Sequence, residues 1–106
     1  MIIYVDIDNT ITIPYSDIDE HDNLDYMLAK PNTKNIDKVN AMYDAGHVIV
    51  YWTARGVMLD KDLREITQRQ LNLWGAKYHE LKMGKPYYDI YIDDKSINTR
   101  DWEMLP

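Results

Sequence analysis

The feature that most constrains this chain is a four-residue apolar run, Ile-Ile-Tyr-Val at 2–5, broken at once by carboxylates at positions 6 and 8. A short, continuous, β-branched run is what a strand covered on both faces looks like. The pattern returns as "HVIVYW" (47–52) and as "YDIYI" (88–92), the latter again followed by two acids, Asp93 and Asp94. Between these runs the spacing changes to that of helices. Asn32 or Thr33 can cap a helix to about Ala45, with Ile36, Val39, Met42 and Tyr43 on one face and Gly46 as its stop. A second helix is expected at about 60–74, with Leu63, Ile66, Gln70 or Leu71, and Trp74 inward and Gly75 as its stop. "KYHEL" (77–81) reads as a short strand. Residues 11–31 are acidic and hold two prolines, and read as a flap-like insertion. The whole, 1–106, is one domain. Strands alternating with helices imply an α/β fold on a parallel sheet of about four strands with right-handed crossovers.

In such sheets the working crevice lies beyond the carboxyl ends of the strands. The polar signals fall there: Asp6 and Asp8 after the first run, Thr53 and Arg55 after the second, Asp93 and Asp94 after the last. Adjacent like charges at a core edge repel and lose hydration, so something positive is expected between them. Hard oxygen donors with no His or Cys beside them suit Mg²⁺. An EF-hand would want Gly where Ile11 stands. A receiver domain carries its acidic pair after the first strand and its lysine after the last, the wrong order for Asp93–Asp94. A strand-end Asp-x-Asp sugar transferase needs a far larger domain.

Composition narrows the partners. A formal net charge of −6 argues against non-specific nucleic-acid or anionic-membrane binding. The absence of cysteine removes disulfides, thiolate metal sites and a Cys nucleophile. No segment reads as a signal peptide or membrane span, so a cytoplasmic location is expected. Nine Tyr and three Trp stand against no Phe. Core packing accounts for most of them, and Tyr15, Tyr26 and Trp52 are candidates for substrate contact near the flap. His21, His47 and His79 do not cluster and read as structural.

Four ordered stretches carry a resemblance: "DIDNT" (6–10), Thr53 within "VYWTAR", a lysine within "KMGKP" (82–86), and "IDD" (92–94). Over nearly its whole length the chain resembles the haloacid dehalogenase (HAD) superfamily of phosphohydrolases. The stretches 51–56 and 84–96 further resemble small HAD proteins found near capsule and surface-sugar genes. The resemblance implies a three-layer Rossmann-like (HAD-like) sheet with a minimal cap and an aspartyl-phosphate intermediate. Asp6 would be the nucleophile and Asp8 the acid/base. Mg²⁺ would be held by Asp6, the Asp8 backbone carbonyl, Asp93 and Asp94. Thr53 and Lys85 would bind the phosphoryl oxygens, with Asn9, Thr10 and Arg55 completing the phosphate-binding set. Lys85, between Gly84 and Pro86, fits the third motif better than Lys82. Arg55 reads either as a surface residue or as a phosphate ligand. Asn9 stands where many relatives have Gly, a position whose positive φ Asn tolerates.

The short insertion implies an open cleft. The leading expectation is a Mg²⁺-dependent phosphomonoesterase acting on a sugar phosphate or related metabolite. Alternatives are a nucleotidase or polynucleotide 3′-phosphatase, and a non-catalytic Mg²⁺- or phosphate-binding module. Few residues follow the last motif, so one side of the sheet is thinly covered, and oligomer formation is expected there.

Overall fold

The computed structural model describes residues 1–14, 26–58 and 60–106, apart from the side chain of Met27. Three strands, β1 (Ile2–Val5), β2 (Val48–Trp52) and β3 (Glu80–Lys82), alternate with two helices, α1 (Thr33–Asp44) and α2 (Arg64–Leu73). A short helix, α3 (Thr99–Glu103), follows, and a 3-10 turn at Tyr26–Leu28 precedes α1. The strands are all parallel and lie in the order β1-β2-β3. No helix among the described residues is long and apolar enough to cross a membrane.

Local chemistry fixes α1. The Asn32 side-chain oxygen accepts the Asn35 amide at 3.1 Å, closing an N-cap. At the other end Gly46 takes φ +96°, where a side chain would be strained. The second helix begins four residues later than its apolar spacing suggests. The chain first folds back on itself: the Lys61 amide donates to the Gly56 carbonyl, and a Cβ at Gly56 would lie 2.1 Å from the Lys61 carbonyl oxygen. Only glycine fits there, and the turn uses residues that would otherwise start the helix.

The register pairs Ile3 with Ile49, Val5 with Tyr51, and Tyr51 with Leu81. These residues form one sheet face, and they share a core with Ile36 and Val39 of α1 and Leu71 of α2. Each such side chain contributes about 1.5–3 kcal/mol by leaving water. On the opposite face Val50 is buried, but Ile2 (71% exposed), Tyr4 (49%) and Val48 (39%) are open. The first strand is therefore covered on one face, not both.

The expected fourth strand is absent. Residues 88–92 form no strand, and Ile92 is 93% exposed. Strand propensity needs a partner edge and a face to bury. Here Lys85 still bonds the Thr53 carbonyl through its amide, and Pro86, which has no amide hydrogen to donate, follows at once. The flap expected at 11–31 is described only at its ends, where Thr12 bridges Pro31 in antiparallel fashion. Tyr15, His21 and the acidic stretch 17–25 lie outside the described residues.

Candidate active site at the end of the first strand

The backbone turns sharply after β1. Ile7 is fully buried, and its carbonyl accepts the amides of Thr10 and Ile11. This anchored residue separates Asp6 from Asp8 and holds both at the sheet edge. Asn9 completes the turn at φ +65°, as its side-chain chemistry permits, and its amide donates to Thr12 Oγ1 at 2.9 Å.

Each carboxylate has its own cation. Lys85 Nζ lies 3.5 Å from Asp6 Oδ1, and the Asp6 side chain is 39% exposed. Burial pushes the Asp6 carboxyl above its ordinary value, while Lys85 and the Ile7 amide pull it back and Asp8 adds to the rise. Arg55 grips Asp8 with a fork: Nε to Oδ2 and Nη2 to Oδ1, both at 2.9 Å. The charge repulsion that the sequence poses is thus met by two protein cations. Lys82, the other candidate lysine, turns away and bonds the Tyr4 hydroxyl at 2.9 Å. Trp52 and Tyr88 flank Lys85, with ring centres 5.9 and 5.4 Å from its Nζ.

Arg55 is not the surface residue that its sequence position allows. Its side chain is 0% exposed, and its guanidinium is engaged by protein groups. The charge is absorbed by Asp8, by Thr67 Oγ1 at 3.3 Å and by Gln70 Oε1 at 2.5 Å, and the Tyr26 ring lies over it at 4.8 Å. Thr53 is also buried, and its hydroxyl accepts the Arg55 amide at 3.1 Å. Thr10 shares its hydroxyl with Thr99 of α3 at 2.8 Å, while its carbonyl accepts from buried Asn35. Asp6, Asp8, Thr53, Arg55 and Lys85 are joined by these contacts at one end of the sheet.

Asp93 and Asp94 are not joined to them. Asp93 closes a local turn, accepting from the Ser96 hydroxyl at 3.0 Å and the Lys95 amide at 3.1 Å. These bonds hold its carboxyl below the ordinary range. No group of three or more acidic or histidine side chains able to hold a metal forms among the described residues. Of the donors assigned to Mg²⁺, the Asp6 carboxylate is paired with Lys85 and the second acidic pair sits in an exposed turn apart from it, while the Arg55 fork occupies the Asp8 side chain and not the backbone carbonyl assigned to the ion.

Gln70, Thr67 and Asn35 are polar site residues that the sequence reading did not single out for function. Gln70 and Thr67 sit one turn apart on α2; the apolar spacing offers Gln70 as an inward residue without giving it a function, and passes over Thr67. Beside Arg55 lies an open pocket of 210 Å³ lined by Val57, Lys61, Leu63 and Met83 among others. Neither Asp6 nor Asp8 lines it.

No family model matches the chain, and no curated protein matches it. Its fold is similar to that of an MCSG target from Vibrio cholerae known from a crystal structure. The TM-score is 0.79 at 22% identity, over 99% of this chain and 89% of that one. At that identity the likeness shows a shared α/β fold and nothing about chemistry.

Proposed function

We propose that the chain is a HAD-type phosphomonoesterase with Asp6 as nucleophile and Asp8 as acid/base. One observation carries the reading: two carboxylates at one strand end differ in surroundings. Asp6 is partly open and beside a lysine, whereas Asp8 is forked by a buried arginine. Carboxylates placed in unlike environments are suited to unlike tasks. Parallel strand order, with Thr53 and Lys85 at the same end, supports it further. The finer three-layer, HAD-like reading of the fold belongs to this proposal, a further layer being what the open face at Ile2, Tyr4 and Val48 would bury.

In this reading an Asp6 oxygen attacks phosphorus as the bond to the leaving oxygen breaks, giving an aspartyl-phosphate. A phosphomonoester bound as its monoanion brings a proton, which Asp8 takes up and passes to the leaving oxygen. Asp8 then takes one from the water that cleaves the acyl-phosphate and restores Asp6, and that proton leaves on the released phosphate. The Lys85 ammonium faces the incoming phosphoryl charge. Mg²⁺ dependence is part of the proposal through the acidic fourth motif, and it requires Asp93 and Asp94 to approach Asp6. No step here is routed through the ion. The partner is a phosphorylated small molecule, a sugar phosphate or related metabolite.

The test is hydrolysis of an aryl phosphate and a panel of sugar phosphates and nucleotides, with Mg²⁺ and with chelator. Turnover lost in both Asp6→Asn and Asp8→Asn supports the reading. Turnover that survives Asp6→Asn sinks it, and a preference set by the base moves the substrate to nucleotides.

A further inference from the structure

We propose that Gln70 of α2 is a positioning residue for the acid/base carboxylate, acting through Arg55 and tying Tyr26 to it. The inference rests on the phosphatase reading above. The observations that carry it concern groups which that reading leaves unused. Arg55 is fully buried, and its fork leaves Asp8 with a fixed carboxylate plane. A guanidinium is planar, so fixing its far side fixes the fork. Gln70 Oε1 does so, accepting from Nη1 at 2.5 Å, with Thr67 Oγ1 as a longer second partner at 3.3 Å. The same Gln70 amide then donates from Nε2 to the Tyr26 carbonyl at 2.5 Å. Tyr26 in turn lays its ring over the guanidinium. One side chain therefore joins α2, the arginine that holds Asp8, and Tyr26.

A purely structural glutamine on a helix face needs neither of these partners. Both its donor and its acceptor are spent on the elements that bracket Asp8, and the chain from Tyr26 to Asp8 runs through charged or hydrogen-bonded groups only. The acid function of Asp8 matters most when the leaving oxygen is a poor one, because a good leaving group departs without a proton. Misplacing the acid therefore penalises alkyl esters more than activated aryl esters. Loss of folded protein penalises both alike.

The experiment compares wild type with Gln70→Leu, which keeps bulk and removes both hydrogen bonds. It reads kcat/KM for a nitrophenyl phosphate and for a panel of alkyl and sugar phosphates, beside a thermal melt. Because kcat/KM includes steps only through departure of the leaving group, later hydrolysis of the intermediate does not enter. The positioning role predicts a loss of roughly ten- to hundredfold on the alkyl esters and several-fold less on the aryl ester. Asp8→Asn should show the same bias more strongly. Equal losses on both ester classes, or none, overturn the role while leaving the phosphatase reading in place. A wild-type protein that cleaves no ester in the panel overturns both. Should Gln70→Leu fail to fold, Gln70→Asn, still polar but one methylene short, reads the same ratio.

Discussion

Residues 2–8 and residues 88–94 are written in nearly the same terms, an apolar run and then two carboxylates, yet the chain treats them in opposite ways. The first run is paired in register with β2, its inward side chains are in the core, and each acid has a cation. The second forms no strand, exposes Ile90 and Ile92, and leaves Asp93 to cap its own turn. Local sequence is thus not what separates them. The first run has a neighbour to hydrogen-bond and a face to bury, and its acids meet residues from distant parts of the chain. The same motif without those partners is a solvated loop.

The largest effects should come from removing what the first region has and the second lacks. Arg55→Met leaves the Asp8 carboxylate without its guanidinium and should cost about 3–5 kcal/mol in denaturant unfolding. Asp93→Ala, by contrast, removes a carboxylate that is exposed and bonded only within its own turn, and should leave the unfolding midpoint nearly unchanged. Equal costs would mean that the second acidic pair is held as firmly as the first. The apolar halves divide the same way. Ile7→Ala opens a cavity in a fully buried site and should cost about 2–5 kcal/mol. Ile92→Ala should change stability by less than about 0.5 kcal/mol and improve solubility. A substantial loss on Ile92→Ala would place residues 88–92 against another surface in solution.

Tyrosines sharpen the contrast at smaller scale. Tyr51 is fully buried, and its hydroxyl has no hydrogen-bond partner among the described residues. Burial pushes that phenol well above its ordinary value. Tyr51→Phe should therefore leave stability unchanged or raise it by up to about 1 kcal/mol, since the lone hydroxyl carries an unmet desolvation cost. Exposed Tyr91→Phe should do nothing measurable.

The smallest effect is one of sign with pH. The folded state raises the Asp6 pKa, so it binds that proton more tightly than the unfolded chain does. The contribution favours folding in acid and is lost as pH rises above about 4 through the folded value. Asp6→Asn should accordingly gain on wild type as pH climbs through that window. Asp93 is shifted the other way: its contribution is present above the ordinary value of 3.8 and is lost as pH falls through the lower folded one. Asp93→Asn should lose on wild type at neutral pH and close the gap in acid. Unfolding curves of the two variants across pH, crossing wild type in the same sense, would contradict the assignment of surroundings.

What could be read from the sequence follows the same division. Helix α1 was legible at both ends because Asn32 and Gly46 act within a turn of their own positions. Strands β1 and β2 were legible from runs that need only a neighbour, and they had each other. The parallel α/β class followed from the alternation of strands and helices, whereas the positive φ at Asn9 and the choice of Lys85 over Lys82 were implied by the family resemblance and not by local signals. The late start of α2 was not legible, since it depends on the Gly56 turn closing against Lys61. Nor was the fate of 88–92, because strand propensity says nothing about a free edge. The enclosure of Arg55 was not legible for a similar reason. Its role is set by Thr67 and Gln70, 12 and 15 residues on, and nothing near Arg55 in the sequence announces that they will enclose it.

The central claim is that Asp6 takes the phosphoryl group and Asp8 does not. Acid-quenched reaction with substrate and Mg²⁺, followed by hydroxylamine trapping and peptide mass analysis, tests it most directly. The account predicts modification at Asp6 in wild type, its accumulation in Asp8→Asn, and its absence in Asp6→Asn. Turnover with no label at Asp6, or with the label on another residue, would contradict it.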